Sequence, residues 1–155
     1  MTLDQLKTIK KELHSQCVLF VENRMLAAQE AIKAAQQSAN EDSKSSMGDK
    51  YETGRAMAQL EIEKNTVQLY EAMKLKRILE MISADFSAPK IQNGSLVLTD
   101  NGHYYLAISA GKLIHDTVSY FAISSSSPIG QKLLSLTKGD IFDFNGRKVT
   151  IQAIA

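Results

Sequence analysis

From Met1 to Met47 the chain contains neither proline nor glycine. No other feature of the sequence limits its fold as much. A run of that length, with apolar residues at three- and four-residue steps, satisfies its backbone most simply as one long helix. Leu6, Leu13, Cys17, Phe20, Ala28, Ile32 and Ala35 carry the rhythm over residues 3–39, with Lys, Glu and Gln between them. Residues 50–82 repeat it with Met57, Leu60, Val67, Tyr70, Met73, Leu75, Leu79 and Ile82. At about 1.5 Å per residue each arm would be roughly 45–55 Å long. Two such arms joined by a short polar loop pack most economically on each other as an antiparallel coiled coil. Gly48 suits the turn, and Asp49 with Glu52 three residues on forms an acidic capping pattern for the second arm.

The joining stretch, SANEDSKSSMGDKYETGR over residues 38–55, is rich in acids and small residues. Glu41, Asp42, Asp49 and Glu52 fall close together in it. One reading is a solvated turn whose acids favour the positive N-terminus of the second helix. The other is a working end.

After Ser83 the pattern changes. Residues 84–90 read as a linker with Pro89, and alternating strands follow: SLVLT (95–99), HYYLAIS (103–109), KLIHDTVSYFAIS (112–124), DIFDF (140–144) and RKVTIQAI (147–154). Asn93-Gly94, Asp100-Asn101-Gly102, Ala110-Gly111, Lys138-Gly139-Asp140 and Asn145-Gly146 mark the turns between them. Ser127 is placed to cap a short helix with Pro128 at its first position. The fold class is therefore α+β. Residues 1–83 form a helical hairpin with its tip near 40–50, and residues 91–155 a small antiparallel sheet domain with one short helix.

Bulk composition sets limits on function. A net charge of +1 gives no reason to expect bulk binding to nucleic acid or an acidic membrane. No apolar run has the length of a membrane span, and the N-terminus lacks the apolar core of a secretory signal. Cys17 is the single cysteine, so no internal disulfide forms, which favours a reducing compartment and a small core residue. The cytoplasm is the expected location. His14, His103 and His115 stand in no metal-ligand spacing, and no nucleophile elbow is present. The run KLKR at 74–77, with Lys64 and Lys50, reads as a solvated basic face or as a contact with a transcript. The expected class is a binding protein, not an enzyme, with no small-molecule substrate and no membrane partner.

The segment SSSSPIGQKLLSLTKGDIFDFNGRKVTIQAI resembles the C-terminal domain of the GreA/GreB transcription elongation factors. The matching positions are Ser127, Pro128, Ile129, Gly130, Leu133, Leu134, Lys138, Gly139, Asp140 and the run Val149–Ile154, with the Gly94–Val97 strand opening before them. KYETGR at 50–55 is similar to the segment that starts the family's second helix, through Tyr51 and Arg55. The resemblance implies an FKBP-like C-terminal domain, without isomerase activity, that docks on RNA polymerase at the mouth of its secondary channel. Ser127, Pro128, Ile129 and Gly130 would belong to that docking surface. It also implies that the coiled coil enters the channel, near nascent RNA and template DNA. Acids at its tip, with Glu41 and Asp42 as the candidate pair and Asp49 and Glu52 beside them, would help the polymerase hold a catalytic Mg2+ and cleave its own backtracked transcript. The chain would bind no cofactor tightly on its own, because two carboxylates in a loop make an incomplete magnesium site.

The tip departs from the family pattern. With Tyr51 and Arg55 setting the register, the family's acidic positions fall on Lys44 and Met47, neither of which binds a cation. A second reading is therefore a non-cleaving regulator that occupies the same channel. A third, from another class, is a structural protein whose helical arms pair with another chain.

Overall fold

The computed structural model describes residues 1–43 and 48–155, without the side chains of residues 42, 43 and 48–51. Two long helices, α1 (Leu3–Ser43) and α2 (Gly48–Glu80), precede β1 (Leu96–Thr99), β2 (Gly102–Leu106), β3 (Gly111–His115) and β4 (Val118–Ile123). A short helix α3 (Pro128–Leu133) and strands β5 (Ile141–Phe144) and β6 (Arg147–Ile154) complete the α+β chain. Two compact units result. One joins Met1–Leu19 to Arg77–Ala155, and the other is Phe20–Lys76.

In the first unit the sheet order is β3-β4-β2-β1-β6-β5. All four residues of β1 are buried, so both faces of the sheet centre are covered. Register assigns the faces. Val97 stands opposite Tyr104, and with Leu106 and Ile151 it packs against Ile129 and Leu133 of α3. Leu96 stands opposite Tyr105, whose hydroxyl meets His14 of α1, so the root of α1 covers that side. Leu6, Ile9, Leu13 and Cys17 are the buried residues of this root. The root begins with a reciprocal cap: Gln5 N donates to Thr2 Oγ1 at 3.2 Å and Thr2 N to Gln5 Oε1 at 2.8 Å.

The strands stand close to their expected places, with two differences. The stretch 112–124 is not one strand. Asp116 and Thr117 take positive φ of 47° and 67° and turn it into the β3–β4 hairpin. A two-residue turn of that kind matches the right-handed twist of the strands it joins, and Asp tolerates the conformation without glycine. The sheet is also not wholly antiparallel, because β2 and β4 pair in parallel, Tyr104 opposite Phe121. Inserting the β3–β4 hairpin brings β4 back beside β2 in the same direction.

In the second unit α1 and α2 run antiparallel. Ala35 and Ser38 share a cleft with Gly54 and Ala58, while Ala27 and Ala28 share one with Gln68 and Ala72. The arms extend further toward each other than their periodicity indicated: α1 runs to Ser43, and α2 already includes Gly48, which is helical and not part of a turn. Leu79 is buried and Leu75 and Ile82 are half-buried as expected, but the rest of the expected apolar face of the second arm is overturned. Met57, Leu60, Val67 and Tyr70 face solvent, whereas Ala58 and Ala72 are buried. On α1 the buried positions are Val21, Ala28 and Ala35, seven residues apart. Between Ala58 and Ala72 on α2, Ile62 and Leu69 are half-buried.

Candidate functional site

At the tip, Glu41 lies in the last turn of α1 and is exposed, and Glu52 is exposed in the first turns of α2. Asp42 and Asp49 belong to the ends of α1 and α2, but their side chains lie outside the described residues, as do Lys44 and Met47 altogether. Asp49 is inside α2 and does not precede it, which moves it from the capping position into the first turn. The two pairs of acids sit in opposite helix fields. Asp49 and Glu52 are near a positive N-terminus, which favours them, whereas Glu41 and Asp42 are near the negative C-terminus of α1. No basic residue in that last turn offsets them. Their placement works against helix stability.

Below the tip, Gln36, Ala39 and Asn40 of α1 face Arg55, Gln59 and Ile62 of α2 across a mostly polar cleft of about 350 Å3. Arg55, one of the positions carrying the sequence resemblance, is thus part of the hairpin wall. Among the described residues no group of three His, Cys, Asp or Glu side chains is gathered to hold a metal ion. Glu41 by itself supplies one carboxylate, where magnesium takes an octahedron of oxygens.

The Ser127–Gly130 element is built from its local chemistry. Ser127 is extended, with φ −67° and ψ 157°; its Oγ accepts from Gly130 N at 3.1 Å and donates to Ser124 O at 2.7 Å. This is a serine N-cap with proline at the first helical position. Gly130 admits no side chain, because a Cβ there would stand 2.1 Å from the Ser124 carbonyl oxygen. Ile129 and Gly130 are buried, so Pro128 and the half-buried Ser127 are what this element offers a partner. In the turn that follows, Asp140 Oδ2 accepts from Thr137 N at 2.8 Å and Gly139 N donates to Ile151 O at 2.8 Å. The motif residues thereby tie the α3 segment to β6.

A buried polar group that the sequence did not reveal lies where the root of α1 meets the sheet. His14 Nδ1 and the Tyr105 hydroxyl share a hydrogen bond of 2.7 Å. Lys10 is 1% exposed, and its ammonium donates to the carbonyl of Phe86. Burial, with nearby Lys10 adding to it, lowers the affinity of His14 for a proton. Burial likewise lowers the pKa of Lys10 and pushes the Cys17 thiol up to about 12, which leaves Cys17 an inert core residue. Spacing alone could have placed Lys10 and His14, since both share a face with Leu6, Leu13 and Cys17. His103 packs against Tyr120 with ring centroids 5.6 Å apart, and His115 approaches exposed Asp116 at 3.3 Å. Of the C-terminal aromatics, Tyr105 and Tyr120 are buried, and Tyr104, Phe142 and Phe144 pack against the core cluster. In the basic run, Lys74 is bridged to Glu71 at 3.1 Å on an exposed face.

No protein-family model matches the chain, and no curated protein matches it. Among the described residues no helix is long and apolar enough to cross a membrane.

Proposed function

We propose that this chain is an RNA polymerase-binding transcription factor of the GreA/GreB type, acting in the cytoplasm. Its helical hairpin enters the polymerase secondary channel, and its FKBP-like C-terminal domain docks at the channel mouth through the surface around Pro128. The observation that carries this reading is the placement of Glu41 and Asp42 in the last turn of α1, where the helix field disfavours carboxylates and that turn itself holds no base. An antiparallel hairpin ending in such acids suits insertion toward a catalytic centre better than it suits a self-contained bundle. The Ser127-capped helix and the Lys138–Asp140 turn support the same reading, since they give the motif residues defined structural work in the sheet unit. Hydrolysis, where it occurs, belongs to the polymerase and its Mg2+, and nascent RNA and template DNA are met only through the polymerase.

The altered tip favours a second reading, a regulator that occupies the channel without promoting cleavage. Lys44 and Met47 stand where cation-binding acids are expected. A transcript-cleavage assay on backtracked complexes separates the two. If the wild type accelerates cleavage and Glu41→Ala/Asp42→Ala or Asp49→Ala abolishes it while polymerase binding persists, the tip acts in cleavage. Binding without acceleration selects the regulator. Failure to bind polymerase rejects both.

A further inference from the structure

Within the sheet unit, the root of α1 and the β3–β4 hairpin border a cleft of about 350 Å3. Register explains its position. Leu113 stands opposite Tyr120 and His115 opposite Val118, so these side chains share the face of the sheet that α1 covers. Met1 and Ile9 from the helix and Val118 from the strand give the cleft apolar walls.

Two polar groups in it lack a full set of partners. Tyr120 is 1% exposed, yet its hydroxyl has no hydrogen-bond partner among the described residues, and it is not sealed off as His103 Nδ1 is. The hydroxyl therefore opens to the cleft and takes its partner from there. Asp116 stands at the rim, where the hairpin turns. Its Oδ2 lies 3.3 Å from His115 Nε2, and its side chain is 91% exposed. Burial, and after it the charge of Asp116, raise the pKa of Tyr120, which keeps the group a neutral hydroxyl. Thr8 and Gln5 also line the cleft but are already engaged: Thr8 Oγ1 donates to Asp4 O at 3.0 Å, and Gln5 Oε1 accepts from Thr2 N at 2.8 Å.

Charge on this side of α1 has one sign. No Lys or Arg lines the cleft. By helical phase Glu12 lies within about 20° of Gln5 and adds a carboxylate to the same side. The neighbouring lysines of the root are turned elsewhere, Lys10 to the Phe86 carbonyl and Lys11 to Asp85.

We propose that this cleft binds a primary alkylammonium ion, with its tail against Met1, Ile9 and Val118 and its headgroup between the Tyr120 hydroxyl and the Asp116 carboxylate. An ammonium group donates and never accepts, and both of these oxygens accept. An anionic ligand would instead meet Asp116 and Glu12 with like charge. The volume lies at the small end of the range of about 300–1,000 Å3 for ligand sites, which suits a short tail. A free amine and a lysine side chain present the same headgroup and tail. The cleft belongs to the sheet unit alone, so its binding is independent of the polymerase reading.

An NMR titration of the full chain with n-pentylamine tests this. Saturable shifts are expected at the Ile9 and Val118 methyl groups and the Tyr120 ring, with a Kd on the order of 1–10 mM for a ligand of about six non-hydrogen atoms. Pentanoate, of the same length and opposite charge, should bind roughly tenfold or more weakly. Asp116→Asn should weaken pentylamine binding roughly threefold to fivefold, the scale of an exposed ion pair, and Tyr120→Phe by a similar factor. Asn tolerates the positive φ of 47° at position 116, and Phe fills the space of Tyr120, so spectra away from the cleft should stay unchanged in both variants. Nα-acetyl-lysine methylamide separates the two sources. Affinity equal to that of pentylamine assigns the cleft to a lysine carried on another chain, and affinity lower by roughly tenfold assigns it to a free amine. The absence of saturable shifts at Ile9, Val118 and Tyr120 would overturn the proposal. So would pentanoate binding as tightly as pentylamine, or pentylamine binding unchanged in Asp116→Asn/Tyr120→Phe.

Discussion

The sheet unit and the hairpin unit bury different residues for the same end. Around the sheet the core is Leu, Ile, Val and Tyr: Ile91, Val97, Leu106, Leu133 and Ile151 on the α3 side, Leu96 and Tyr105 on the α1 side. Between the helices the buried residues are Val21, Ala28, Ala35, Ala58 and Ala72, with Ile62 and Leu69 half-buried, while Met57, Leu60, Val67 and Tyr70 of α2 look outward. The sheet unit gains stability from apolar area removed from water. In the hairpin the fully buried residues are mostly alanines, each of which contributes less area. Apolar periodicity marks a helix, but it does not say which of two stripes meets the neighbour.

The largest expected effect sharpens this contrast directly. Leu106→Ala, at a fully buried position, should cost about 2–5 kcal/mol in denaturant unfolding, from lost transfer energy plus the cavity left behind. Leu60→Ala, the same substitution on the outer face of α2, should change the stability of the dilute monomer by no more than about 0.5 kcal/mol. Equal losses at the two sites would break the comparison. Overpacking the seam comes next. Ala58→Leu should destabilise the hairpin by about 1–3 kcal/mol, although it adds apolar surface. Thermal melts that rise with Ala58→Leu would mean the alanines are not what sets the spacing. Ser127→Ala should cost about 1 kcal/mol through loss of the α3 cap, and its unfolding curve should retain the wild-type slope.

A smaller effect concerns pH. His14 binds a proton less readily when folded than when unfolded, for burial and Lys10 both oppose the charge. The stability it contributes is therefore complete above the unfolded value of about 6.5 and is lost as pH falls below it. Unfolding midpoints measured from pH 7.5 down to 5 should fall for the wild type and fall less for His14→Gln. A steeper fall for His14→Gln would remove the buried His14–Tyr105 bond from the account.

Most elements of the fold were legible from local signals. The glycine- and proline-free run gave α1, the Asn-Gly and Lys-Gly-Asp turns bracketed the strands, and Ser127-Pro128 fixed the start of α3 in its true place. What was not legible depended on partners distant in the chain. The parallel β2–β4 pairing arises only when the β3–β4 hairpin is inserted, and its turn at Asp116-Thr117 has no glycine to announce it. The burial of Lys10 becomes meaningful once Phe86 is beside it, 76 residues away. The outward stripe of α2 misled because Met, Leu, Val and Tyr give a stronger periodic signal than Ala does. At the candidate tip, the sequence supplied the acids. It could not supply their helix ends, and those ends separate Glu41 and Asp42 from Asp49 and Glu52.

Thiol accessibility along α2 tests the central claim, that its large apolar residues face outward from an alanine seam. Single substitutions Ala58→Cys, Leu60→Cys, Val67→Cys and Ala72→Cys would be labelled with a neutral maleimide in dilute protein. Cys17 stays silent, because it is buried and its pKa is near 12. Cysteines at 60 and 67 should label at close to the rate of a free thiol, and those at 58 and 72 slower by roughly tenfold or more. The reverse order would mean that α2 presents Leu60 and Val67 to α1, and the outward placement of these residues would be wrong.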